Sequence, residues 1–261
     1  MKYGFPKLSK TGEQIGFKTM ANAVYAGDGR TIEDHLLDIE KPLRNYKLGI
    51  MGDGFINNGG NDSATYHTFP DLLQPYFKSV QAYSFVGSTF AYNQNSGENA
   101  YAMFELYSWL SSDNDITIVA AGVNDFVYST PLGDESTKTD GSTLYGGVCM
   151  LLNALITSHC LGKEIFMVLP MDSYHPYANI TTADHNSLGL TLKDYVDVIR
   201  ECCEIYSIPT IDLFKEGGIA TPYYADRSNN PFTYDGFHLT DLGHKRVFNR
   251  IYGKLLSTIV V

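Results

Sequence analysis

At 261 residues and 44% hydrophobic content, the chain can bury a sizeable core, either as one large domain with an appendage or as two small domains, which excludes wholesale disorder. A formal charge of −10 without a Lys/Arg run argues against nucleic acid as a partner. No apolar run reaches the length of a membrane span and no signal-peptide core opens the chain, so no membrane partner is expected and the chain reads as soluble. An extracellular or virion-bound location would rest on a removed signal or on assembly into a larger particle. The four cysteines (Cys149, Cys160, Cys202 and Cys203) have no CxxC spacing and are expected to pack as small apolar residues.

Residues 1–44 are rich in Gly, Lys and Thr and read as an N-terminal extension ahead of a main domain over 45–261. One helix is predicted there. It starts at Thr31, with Asp34 three residues on as a capping box. Ile32, Leu36 and Ile39 form a stripe too narrow to fold alone. The segment is therefore expected to pack on the main domain or on another copy of the chain, giving a homo-oligomer. The stretch from Ala21 to Asp34 is similar to connecting segments of phage tail and baseplate proteins.

From residue 46 onward, strand and helix patterns alternate. Leu48-Gly49-Ile50-Met51 predicts a buried strand that stops at Gly52-Asp53-Gly54. A polar turn over 57–61 and a helix over 69–76 lead to a second strand over 79–85, which ends at Val86-Gly87-Ser88. Helical periodicity covers 99–110. Residues 116–121 are the clearest buried strand, and they open into Gly122-Val123-Asn124-Asp125. A helix over 143–158, a strand over 165–170 and a long Tyr-, His- and Asn-rich loop over 171–190 follow. Then come a helix over 191–206, a short strand over 210–214 and an irregular stretch to 237. The last helix starts near Thr240 and buries Val247, Ile251 and Leu255. Five strands alternating with helices predict an α/β fold, a three-layer α/β/α sandwich on a five-stranded parallel sheet.

Four short pieces fall at strand ends or just before the last helix: Gly52-Asp53-Gly54, Gly87, Gly122-Val123-Asn124-Asp125 and Asp235-Gly236-Phe237-His238. In this order they resemble the blocks of the SGNH/GDSL hydrolases, which read Gly-Asp-Ser, Gly, Gly-x-Asn-Asp and Asp-x-x-His. The resemblance implies a flavodoxin-like sheet. It also implies an oxyanion hole from the backbone N–H groups of Gly54 and Gly87 and the side-chain amide of Asn124. His238 would be the general base and Asp235 its orienting carboxylate, with Asp53, Gly122 and Asp125 supporting them. Preorganised donors of this kind stabilise a tetrahedral oxyanion, each by roughly 3–4 kcal/mol. A carboxylate beside an imidazole fixes its tautomer and stabilises the imidazolium.

The departure is at position 54, where the family's nucleophilic serine is replaced by Gly54, which has no Oγ. Oxyanion donors and binding without a triad leave a roughly 10³–10⁴-fold acceleration over water. The chain as it stands is thus expected to be nearly inactive, as an inactivated variant or a natural pseudoenzyme. Ser63 and Thr65 are poor substitutes, since a mobile loop rarely holds a nucleophile within reach.

The family implies an ester hydrolase of the carbohydrate O-acetylesterase kind, with an acyl-serine mechanism, a small-molecule or glycan ester as substrate and no cofactor. The alternative is a non-catalytic glycan-binding or phage tail module on the same fold. Tyr128, Tyr145, Tyr174, Tyr177, Tyr223, Tyr224 and Tyr234 are expected at the active edge, with Tyr174, Tyr177 and Tyr234 as candidate substrate contacts. His244, beside Lys245 and Arg246, is expected to be solvated. His175, Asp184 and His185 are too irregularly spaced to predict a metal site.

Overall fold

The computed structural model describes residues 30–57, 67–92, 101–175, 180–181, 185–219 and 230–259. Helix α1 (Ile32–Glu40) is closed at its start by the expected capping box: Thr31 Oγ1 accepts the Asp34 N–H at 3.1 Å, and the Asp34 carboxylate accepts the Thr31 N–H at 3.3 Å. Asp38 holds the helix to its flanks through Arg30 and Arg44. Ile32, Leu36 and Ile39 are all exposed among the described residues, so the narrow stripe contributes little burial.

Strand β1 (Lys47–Gly52) is buried from Leu48 onward. Helix α2 (Phe69–Leu73) and a 3₁₀ turn through Tyr76 connect it to β2 (Ser79–Ser84). The short helix α3 (Met103–Leu106) and a 3₁₀ turn over Tyr107–Trp109 precede β3 (Ile116–Ala120). Helix α4 (Val123–Val127) leaves the end of β3, and α5 (Leu144–Ala154) leads to β4 (Glu164–Leu169). A two-residue antiparallel ribbon, β5 (Tyr174–His175) with β6 (Ile180–Thr181), lies in the following loop. Helix α6 (Leu192–Ile205), strand β7 (Thr210–Asp212), the single turn α7 (Leu213–Glu216) and the long α8 (Asp241–Ile259) complete the order.

The five main strands form one parallel sheet in the order β2-β1-β3-β4-β7, with Ile50 opposite Ile118 and Ile118 opposite Phe166. Successive residues on a strand point to opposite faces. Leu48, Ile50, Ile118 and Phe166 pack under α2 and α8 with Leu73, Val247, Ile251 and Leu255. Met51, Val119 and Met167 pack on the other side under α5 and α6 with Val148, Leu152, Val196 and Ile199. A sheet covered on both faces explains why its strands read as continuous apolar runs. The three-layer α/β/α architecture is as expected. All four cysteines are buried and unbridged, packed as small apolar residues.

Several elements differ from expectation. The helix anticipated over 99–110 is reduced, among the described residues, to α3 and its 3₁₀ turn. Ala102 bridges Thr89 and the Met103 N–H bonds Thr89 O at 2.9 Å, which holds the preceding backbone extended. The helix expected to 158 loses α geometry after Ala154 and ends in a π turn over Leu155–His159. There the hydroxyls of Thr157 and Ser158 bond back to the carbonyls of Asn153 and Ala154, both at 2.7 Å, in competition with the backbone ladder.

His244 is not solvated. It is fully buried, and its Nδ1 accepts the Phe69 N–H at 3.1 Å, joining α8 to the start of α2. Tyr145 lies in the core on α5, at 1% exposure, rather than at the active edge.

Candidate active site

Order reversal between β2 and β3 on either side of β1 creates a crevice at the carboxyl ends of the strands, where open α/β sheets bind ligands. The chain leaves β1 in a tight turn. Asp53 Oδ1 accepts the Phe55 N–H at 3.0 Å and the Asp53 carbonyl accepts the Ile56 N–H at 3.2 Å. The Ser84 hydroxyl pins the same carbonyl at 2.8 Å. Gly54 is buried inside this turn. Gly87 and Gly122 adopt φ of 80° and 115°, the left-handed region that suits glycine, whereas Gly54 is not among the described glycines of positive φ.

Asn124 sits near the start of α4, whose N-cap is Gly122. Its side-chain amide donates to Ser88 O at 3.0 Å, next to Gly87, and approaches Asp53 Oδ2 at 3.5 Å. The loops after β1, β2 and β3 thus converge on one amide. Asp125 is fully buried and clamps the same region: its Oδ2 accepts the Phe90 N–H at 2.8 Å and its Oδ1 the Ala91 N–H at 3.4 Å. Burial pushes both Asp53 and Asp125 up to about 7, against the backbone N–H groups that favour their charged forms.

The fourth piece lies just before α8. His238 Nδ1 is 2.5 Å from Asp235 Oδ2, and Asp235 Oδ1 accepts the backbone N–H groups of His238 at 2.7 Å and Phe237 at 2.9 Å. Burial works to raise the Asp235 carboxyl, but these donors outweigh it and hold the group below the usual carboxylate range. The Tyr234 ring stacks on His238 at 5.6 Å and Phe237 meets it edge-on at 4.9 Å. His238 acts electrostatically on Asp53, and Phe237 shares with Asp53 and Phe55 the wall of a narrow cleft that also touches Val123, Met171 and Ser173. The two ends of the chain's motif series therefore meet across one cleft.

Of the expected substrate contacts, Tyr234 lies against His238. Tyr174 is on β5, with its side chain outside the description, and Tyr177, Tyr223 and Tyr224 lie outside the described residues, as do Ser63, Thr65 and Asp184. Sequence reasoning missed the cleft wall of Phe55, Met171 and Ser173. The signal available for the latter two was their place directly after the apolar run of β4.

The model of the GDSL-like lipase/acylhydrolase family matches residues 48–251, and the chain belongs to that family. Its fold is similar to solved structures of low sequence identity. A protein from Lactobacillus plantarum is 23% identical with a TM-score of 0.71, covering 83% of this chain and 99% of that one. A possible lipase from Chitinophaga pinensis is 16% identical with a TM-score of 0.60, covering 83% and 100%. An acetyl xylan esterase is 14% identical with a TM-score of 0.53, covering 80% and 99%. No curated protein matches the chain.

Proposed function

We propose that the chain is an SGNH-type ester hydrolase scaffold of the carbohydrate O-acetylesterase kind, in which the nucleophile is absent at Gly54. The observation that carries this reading is the Asp235–His238 pair, fixed by three hydrogen bonds beside the crevice of Gly87 and Asn124. With Nδ1 committed to Asp235, only Nε2 of His238 is left to take a proton. In a serine-bearing parent that proton would come from the hydroxyl at position 54 as it attacks the ester carbonyl. The Gly54 and Gly87 N–H groups and the Asn124 amide would then hold the oxyanion. His238 would return the proton to the departing alcohol, and water would release the acyl group by the reverse sequence. The narrow, mostly apolar cleft favours a short acyl group such as acetyl.

A second reading, a non-catalytic glycan-binding module, is favoured by Gly54 itself.

Hydrolysis of p-nitrophenyl acetate by this chain and by Gly54→Ser separates the two. The esterase reading expects near-background turnover from the first and a gain of several orders of magnitude, roughly 10⁴ to 10⁶, from the second, abolished by His238→Ala. A silent Gly54→Ser that folds normally would leave the binding module standing.

A further inference from the structure

On the β2 side of the crevice, the chain exposes an aromatic groove that the hydrolytic machinery does not use. Its lining is Phe85, Val86, Tyr101, Glu105, Leu106 and Trp109. Trp109 and Tyr101 are each 57% exposed and Val86 is 53% exposed, which is unusual for large apolar side chains gathered in one place.

The indole is nonetheless held. Tyr83 and Phe85, two residues apart on one face at the end of β2, stack on each other at 6.3 Å, and Trp109 meets both at near right angles, at 5.9 and 5.8 Å. An exposed ring fixed by two others is preorganised and loses little freedom when a ligand covers it. The groove is also not purely apolar. Glu105 lies in its wall, four residues before Trp109, and its carboxylate accepts the Tyr92 hydroxyl.

This combination selects a ligand class. An aromatic face beside a carboxylate and a phenol suits a pyranose, whose C–H face covers the ring while its hydroxyls donate to the carboxylate. Among the described residues no Lys or Arg lines the groove, so it offers nothing to a phosphate or uronate. An aliphatic chain would strand the Glu105 carboxylate against hydrocarbon. Val86, in the groove wall, directly precedes Gly87, one of the proposed oxyanion donors, while the apolar cleft of Phe55 and Met171 lies over β1, β3 and β4.

We propose that this groove is a binding subsite for a neutral pyranose of an oligosaccharide, stacked on Trp109 and hydrogen-bonded to Glu105. It receives the alcohol side of the ester while the acyl group enters the cleft. The assignment to the alcohol side rests on the esterase reading above; the sugar chemistry of the groove does not.

Trp109 is the single tryptophan of the chain, so its emission reports this groove alone. The unmodified chain is titrated with xylohexaose, cellohexaose and, for comparison, 1-octanol. A saturable change with either oligosaccharide and none with octanol is the expected result. Tyr101→Ala, at an exposed position, should weaken that binding about tenfold, as loss of one ring contact implies, and Glu105→Gln should weaken it too.

No saturable response to either sugar, an equal response to octanol, or indifference to both groove substitutions would overturn the proposal. Active Gly54→Ser on p-nitrophenyl acetate with a silent Trp109 overturns the groove and keeps the esterase. A sugar response with an inert Gly54→Ser supports the sugar groove and overturns its alcohol-side role together with the esterase reading.

Discussion

Asp235 holds His238 twice, accepting the imidazole Nδ1 at 2.5 Å with one carboxylate oxygen and the backbone N–H of the same residue at 2.7 Å with the other. Backbone and ring are thereby fixed by one side chain three residues earlier. A carboxylate so placed acts on the tautomer and orientation of the imidazole rather than on the substrate.

In the Gly54→Ser background, Asp235→Asn should therefore lower kcat on p-nitrophenyl acetate by roughly 10⁴, the scale seen when a triad carboxylate becomes an amide. KM should move little, and circular dichroism should report an intact fold. A drop of less than tenfold would show that Asp235 does not orient the base.

Asp125 is the corresponding clamp beside the proposed oxyanion donors, taking the N–H groups of Phe90 and Ala91 from a loop some 35 positions earlier. Asp125→Ala leaves both donors buried without that acceptor and should cost about 2–4 kcal/mol in urea unfolding. In the Gly54→Ser background it should also reduce kcat, because the Ser88 carbonyl that positions the Asn124 amide belongs to the same loop. Unchanged stability would mean that the loop finds other acceptors.

The buried titratable groups set a pH profile. Asp53 and Asp125 rise from 3.8 to about 7 in the fold, so between those values the folded chain keeps protons that the unfolded chain has lost. Stability from these two groups falls as pH rises through that window. His244, lowered by burial from 6.5 to about 4, has the opposite sign: its contribution falls as pH drops from 6.5. Below 6.5 His244 and His159, both lowered by burial, oppose the two carboxylates, and above it the carboxylates set the slope. The urea midpoint should be higher at pH 6 than at pH 8, and Asp125→Asn should flatten the difference. A midpoint that rises toward pH 8 would contradict the buried-carboxylate account.

His244→Leu should preserve the packing of α8 but strand the Phe69 N–H, at a cost of about 1–3 kcal/mol. It should also remove the acid-side loss just described, which thermal melts at pH 5 and pH 7 would register.

The layered fold was legible because a parallel sheet buried on both faces writes itself as unbroken apolar runs, at 48–51, 116–121 and 165–169. The pieces at 52–54 and 122–125 were legible because each stands where such a run stops. His244 was misjudged from its neighbours Lys245 and Arg246, although its spacing from Val247, Ile251 and Leu255 places it on the buried stripe of α8. Tyr145 carried the same signal, standing three residues before Val148 and seven before Leu152. The Asp125 clamp and the Trp109 cluster had no local signature. Each joins segments more than twenty residues apart, and only the placement of β2 beside β1 at the sheet edge brings them together.

The hydrogen bond from Phe69 to His244 joins the first helix after β1 to α8, and His238 lies six residues ahead of that histidine. During synthesis, the strands that lead to Asp53, Gly87 and Asn124 emerge well before either. Until α8 docks, Leu73 and the sheet face around Ile50 and Ile118 lack their cover of Val247, Ile251 and Leu255. Arrival of the Asp235–His238 pair is thus tied to the step that seals this half of the core. Nascent chains shorter than about 240 residues should present exposed apolar surface of the kind chaperones bind.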